Sequence, residues 1–303
     1  MKELQFCTTS SQISQHHRIK LNEKEYLELS NARRILFRVL KHEELYDQVI
    51  ESYVDAKTAM YEMSIRTISD GIIDEDIISH NYRSKLNRLY FNTLNLSKLY
   101  LDKHFHGRHD KSFVKSITGL ETFHDEIKCH RQRIANENTD YVLGCELRNY
   151  IQHASLPIKS ITHGFRTSNS NNKTFAVFHI PLDRNILIEG GIKKKYLSKY
   201  SDKIDLHEIM DNYIYAISEM HLKSRELTSD YAKNSMGIIT KKRQEIESKY
   251  NCVQYGIKVV DIDIEDTLFY LHLEWFDLVK YLQEKNSYLL NFKLFSHSPY
   301  GNF

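Results

Sequence analysis

The chain has 303 residues, 41% hydrophobic and 27% charged, which is the composition of a soluble folded protein with room for one large domain or two ordinary ones. Its 42 Lys and Arg nearly balance 40 Asp and Glu, so a global basic field for nucleic acid is excluded and any basic site must be local. Cys7, Cys129, Cys145 and Cys252 form no CxxC pair, which argues against a zinc ribbon or disulfide framework and for reduced thiols in a cytoplasmic setting.

The start of the chain lacks the apolar run of a signal peptide, and no stretch approaches the roughly 20 apolar residues that a membrane span needs. Residues 1–20 are polar and predict a flexible arm. From Asn22 the pattern turns helical, with Leu27, Ala32, Ile35, Leu36, Val39 and Leu40 near one stripe. Asn22 and Glu25 have the spacing of a capping box. The pattern continues to about residue 69 as one bent helix or two, and Asp70-Gly71 breaks it. A second helix is predicted over 74–104 and a third over 111–137, interrupted at Gly119. Thr139 or Asp140 caps the next helix, and Pro157, the first proline in the chain, ends it.

After residue 160 the texture changes. Ser168-Asn169-Ser170-Asn171-Asn172 is the best linker. Thr174–Ile180 and Ile186–Ile188 read as a β-hairpin around Pro181-Leu182-Asp183-Arg184-Asn185. Residues 205–248 read as helix with a break near Met236-Gly237. Residues 252–264 and 268–273 suit strands, and 277–290 a closing helix. The predicted fold class is therefore mainly α: a helical bundle over 21–160, then a smaller α+β region over 161–303.

The chemistry-bearing stretch is Leu147-Arg148-Asn149-Tyr150-Ile151-Gln152-His153 on the helix before Pro157. Leu143, Leu147, Tyr150, Ile151 and Ala154 form the stripe that packs on the bundle. Arg148 and His153 are five positions apart and point roughly 140° apart on a straight helix. They converge on one ligand only if the helix distorts, or if two copies face each other across a two-fold axis. A histidine can take the proton of a ribose 2′-OH or give one to the leaving 5′-oxygen. An arginine can hold the phosphate bidentately, and Asn149 can position phosphate or imidazole. The structural alternative is an imidazolium favoured by the dipole of a last helical turn and a boundary arginine with a buried stem.

These residues resemble the motif of the HEPN superfamily (the higher eukaryotes and prokaryotes nucleotide-binding domains): an Arg, four to six residues, then a His, with Asn often following the Arg. The resemblance covers residues 20–160 as architecture and the strip from Leu147 as motif. It implies a four- or five-helix bundle, usually dimeric, with the two motifs meeting at the interface. It also implies a metal-independent endoribonuclease of a toxin–antitoxin or antiviral-defence kind, with Arg148, His153 and Asn149 as catalytic residues and no metal or cofactor. Its partners would be RNA, a second copy of the chain, and an antitoxin or regulatory protein. Other members have lost activity and act as scaffolds that bind nucleic acid, nucleotide or protein. Nothing in residues 161–303 matches a HEPN feature.

Other clusters read more simply. His104-Phe105-His106-Gly107-Arg108-His109-Asp110 offers metal-type ligands but suits a polar loop. Gly190-Gly191-Ile192-Lys193-Lys194-Lys195 and Lys241-Lys242-Arg243 read as solvated basic runs. Asp261, Asp263, Glu265 and Asp266 read as the charged face of an edge strand. Most of the 20 tyrosines and 14 phenylalanines must be packing, with some available as base-stacking platforms.

Overall fold

A computed structural model describes residues 1–10, 13–69, 75–167, 174–250, 256–264 and 266–292. It is mainly helical, with small antiparallel sheets. The chain divides into two compact units, each with its own apolar core. Unit 1 comprises Met1–Glu44, Phe113–Phe123 and Ser224–Ser287, and unit 2 comprises Leu45–Ser112, His124–Lys223 and Tyr288–Phe303. The units are thus interleaved along the chain, where the sequence suggests a single cut near residue 160.

Unit 1 is built on a four-stranded sheet. Strands β1 (Lys2–Ser10) and β2 (Ile13–Lys20) form a hairpin, with Leu4 opposite Ile19 and Phe6 opposite His17. β9 (Lys258–Asp261) lies on the other side of β1, and β10 (Asp266–Tyr270) pairs with β9. The expectation of a flexible arm over 1–20 is therefore corrected. Leu4 and Phe6 alternate onto the buried face, and the partner that fixes β1 lies some 250 residues away, beyond the reach of local pattern. β9 is an interior strand rather than an edge, and Lys2 pairs with the Asp261 carboxylate.

Against the sheet pack Leu29, Ala32 and Leu36 of α1 (Glu23–Ser69) and Ile239 and Ile246 of α8 (Leu206–Tyr250). The start of α1 carries the expected capping box. Glu25 N–H donates to Asn22 Oδ1 at 2.9 Å, and Asn22 N–H donates to Glu25 Oε2 at 3.1 Å. α3 (Phe113–Thr118) and α9 (Glu274–Lys285) also belong to this unit. Its buried Glu43 accepts from Arg225 Nε at 2.9 Å and Nη2 at 2.5 Å, and from Gln283 Nε2 at 3.1 Å.

Unit 2 gathers Tyr46–Met63 of α1, α2 (Glu75–His104), α4 (Glu121–Glu137) from His124, α5 (Thr139–His153) and the start of α8 around one core. Tyr46, Tyr53, Tyr90, Tyr100 and Tyr213 are fully buried there, as the packing reading of the aromatics requires. Leu206, Ile209, Met210, Tyr213 and Ile217 of α8 belong to the same core as Leu143 and Leu147 of α5. A bundle ending at residue 160 would lack them.

Further differences are local. β6 (Thr174–His179) pairs with β5 (Thr162–Thr167), and residues 184–189 form helix α6 (Arg184–Glu189) in place of a return strand. Asp183 explains this: its side chain accepts from the N–H groups of Asn185 and Ile186, which caps a helix. β7 (Pro181–Asp183) instead pairs with β8 (Lys203–Asp205), and α7 (Lys194–Leu197) lies between. α8 runs unbroken through Gly237. The Asp70-Gly71 break, the 168–172 linker, Cys252 and Glu265 lie outside the described residues. Among those described, no helix is long and apolar enough to cross a membrane.

Candidate functional site

Helix α5 starts where Asn138 accepts from the Tyr141 N–H, one residue before the expected caps Thr139 and Asp140. Asp140 instead ties the first turn down, accepting from Tyr200 Oη at 2.5 Å and from the Asn212 amide. Leu143, Leu147 and Tyr150 are buried, as the stripe predicts, while Ala154 is exposed at the C-cap. Gly144 lets α5 approach α8 closely: a Cβ there would sit 2.4 Å from the Tyr213 ring. Cys145 is half-buried in this packing, and burial pushes its thiol up to about 11, which keeps it protonated at neutral pH. The helix stops at His153, four residues before Pro157, and Tyr150 Oη meets Ser155 Oγ at 3.0 Å.

The expected site residues fall on the open edges of this anchored helix. Arg148 is half-buried, and Asn149 and His153 are exposed. Arg148 Nη1 reaches Asn149 Oδ1 at 3.4 Å, and its Nε is buried without a hydrogen-bond partner among the described residues. Gln152, between them, donates to Asn95 Oδ1 of α2 at 3.1 Å. α5 keeps regular helical form to His153, so the five-residue offset between Arg148 and His153 is not shortened within one chain. Arg148 and Asn149 come together; Arg148 and His153 do not.

Unit 2 also contains a polar network that the sequence did not reveal. Lys57, 8% exposed, donates to Asp211 Oδ1 at 2.7 Å and to His207 Nε2 at 3.1 Å. Tyr53 Oη donates to the same Asp211 oxygen, and Tyr90 Oη lies 3.5 Å from His207 Nδ1. A lysine can only donate, so His207 Nε2 must be unprotonated and its proton must sit on Nδ1. Burial, then Lys57, lowers the His207 pKa. Tyr53 and Lys57 lie one turn apart on α1, and His207 and Asp211 one turn apart on α8, but 150 or more positions separate the two pairs, so no spacing signal joins them.

The remaining clusters are largely spoken for. His104 Nδ1 accepts from Arg131 at 3.0 Å and its Nε2 meets the Met220 carbonyl at 3.3 Å, so this ring is committed to packing. His124 bridges Ser112 Oγ (2.9 Å) and Asp110 Oδ1 (3.1 Å), and both His124 and Ser112 are buried. That trio closes the short hairpin of β3 (Phe105–His106) and β4 (Lys111–Ser112), and the His124 hydrogen bond holds the Asp110 carboxyl below its usual range. Lys193, Lys194 and Lys195 are exposed, as a solvated run should be, while Lys242 pairs with Glu25 at 2.8 Å and Arg243 donates to the Leu271 carbonyl at 3.1 Å. No family model, no curated protein and no solved structure matches the chain.

Proposed function

We propose that the chain is a metal-independent HEPN-type endoribonuclease whose reacting groups are Arg148 and His153, assisted by Asn149, of the kind that serves as a toxin or antiviral-defence effector. One observation supports this most directly. The Arg-Asn-x-x-x-His strip lies on a helix buried along its other face, with Asn149 and His153 open to solvent. His153 takes the proton of a ribose 2′-OH, the 2′-oxygen attacks phosphorus, and the bond to the 5′-oxygen breaks. The products are a 2′,3′-cyclic phosphate and a 5′-hydroxyl, the leaving oxygen receiving a proton from an imidazolium. Arg148 holds the phosphate and offsets the charge that develops on it, with Asn149 fixing the guanidinium. Because the two side chains diverge on one straight helix, the working site is composed across a homodimer, Arg148 of one copy facing His153 of the other.

The test uses an RNA and its all-2′-deoxy counterpart, each incubated with purified protein in excess chelator. The reading predicts cleavage of the RNA alone, with cyclic-phosphate ends. Cleavage of both strands, or 3′-hydroxyl ends, would contradict it. RNA binding without cleavage would favour a catalytically silent HEPN scaffold.

A further inference from the structure

Unit 1 carries an exposed aromatic and cationic surface of its own. Four rings follow one another across three elements. Tyr270, at the end of β10, stacks on His272 with centroids 5.4 Å apart and planes 29° apart. His272 lies 5.1 Å from Trp275 at the start of α9, and Trp275 lies 5.5 Å from Phe37 of α1. Tyr270 is 41% exposed and Phe37 38%, so the ends of this ladder are open to solvent. Tyr46, Tyr53, Tyr90, Tyr100 and Tyr213 of unit 2, by contrast, are buried in a core.

Cations interleave with the rings. The Arg33 guanidinium lies 5.9 Å from the Phe37 centroid and 5.6 Å from Trp275, and Lys41 Nζ lies 5.5 Å from Phe37. Arg33, Phe37 and Lys41 follow at i, i+4 and i+8, and exposed Arg34 and Arg38 flank them on the same helix. Arg34 donates to the neutral Asn31 side chain at 2.5 Å and Arg38 to the Ser116 carbonyl at 2.8 Å, and among the described residues neither guanidinium forms an ion pair. Lys41 pairs with Glu44 at 2.8 Å and His272 with Glu274 at 3.4 Å. In a chain of formal net charge +2, three arginines and a lysine within nine residues are a local concentration of positive charge.

We infer that this surface binds single-stranded RNA, its bases stacking on Tyr270, Trp275 and Phe37 while Arg33, Arg34, Arg38 and Lys41 hold the phosphates. The choice of RNA rests on the ribonuclease reading; the stacking-and-charge chemistry is that of a sequence-tolerant single-strand platform. Solvent-exposed rings suit unpaired bases, which a duplex withholds inside its stack.

Trp275 is the chain's single tryptophan, so its fluorescence reports on this surface alone. An oligouridylate of about 15 nucleotides, long enough to cover such a platform, is titrated into the His153→Ala protein. Saturable quenching is expected, with affinity falling at least about tenfold between about 50 and about 200 mM salt. By anisotropy of a labelled oligouridylate, Tyr270→Ala and the pair Arg34→Glu and Lys41→Glu should each weaken binding about tenfold, while Trp275→Phe, which keeps a ring, should change it about twofold or less. Circular dichroism confirms that each variant is folded. Unquenched fluorescence at oligouridylate concentrations that saturate anisotropy, or no binding at all, overturns the inference. Equal binding of duplex RNA overturns it too. Quenching in a protein that never cleaves RNA would keep this surface and remove the nuclease; cleavage through His153 with Trp275 silent would do the reverse.

Discussion

His207 accepts from Lys57 at 3.1 Å, and protonating it would place two cations face to face. The groups around it are Lys57, Asp205, Glu208, Asp211 and Tyr90, and burial with Lys57 outweighs the carboxylates. Its folded pKa therefore lies below the 6.5 of a free imidazole, and the unfolded chain binds more protons in weak acid. The stability due to neutral His207 is complete above about pH 6.5 and is lost as pH falls through the folded value. His130, lowered mainly by burial, has the same sign. The melting temperature should thus fall between about pH 7.5 and about 5.5, and His207→Gln should flatten the slope. A melting temperature that rises on acidification, or an unchanged slope in the variant, would contradict this. Gly144→Ala tests the packing under α5. The new methyl would meet the Tyr213 ring at 2.4 Å, and overpacking of this kind costs about 1–3 kcal/mol, readable from denaturant unfolding. The contact of Arg148 with Asn149 was legible because the two are adjacent in the chain. The contacts of Lys57 with Asp211 and of Trp275 with Phe37 were not, because tertiary contact alone brings them together.

Elements were legible where their signals were local and strong. The Asn22–Glu25 box, the parting of α3 from α4 around Gly119 and the buried stripe of α5 all follow from side chains within a turn of one another. Residues 184–189 show the opposite. Ile186-Leu187-Ile188 has β propensity, yet the Asp183 cap and the pairing of β7 with β8 make it a helix. Gly237 was expected to break α8 and instead lies inside it, with nothing within 4 Å of a Cβ placed there. Gly237→Ala should therefore stabilise the protein by about 0.5–1 kcal/mol, through helix propensity and a less free unfolded chain. A loss of stability on calorimetric melting would mean that the helix breaks at Gly237.

At the scale of the molecule, sequence order misleads about domains. Each of α1 and α8 supplies residues to both cores, so a cut drawn where texture changes near residue 160 separates Leu143 and Leu147 from the α8 residues that bury them. The helical content was legible from period and from the scarcity of proline; the interleaving was not, because it depends on pairing of β1 with β9 across most of the chain. Mixing Arg148→Ala with His153→Ala protein, each inactive alone, should restore activity toward about a quarter of wild type through mixed dimers with one intact Arg–His pair. Strictly additive inactivity would mean that both groups act from one copy.

The most direct measurement is the rate of RNA cleavage in excess chelator by wild-type protein beside Arg148→Ala and His153→Ala, all prepared identically. The account predicts cleavage by the wild type and a loss of at least about a hundredfold in each variant, the scale of removing a general base or a phosphate clamp. Equal rates in all three proteins would contradict it, because the strip on α5 would then have no part in the chemistry.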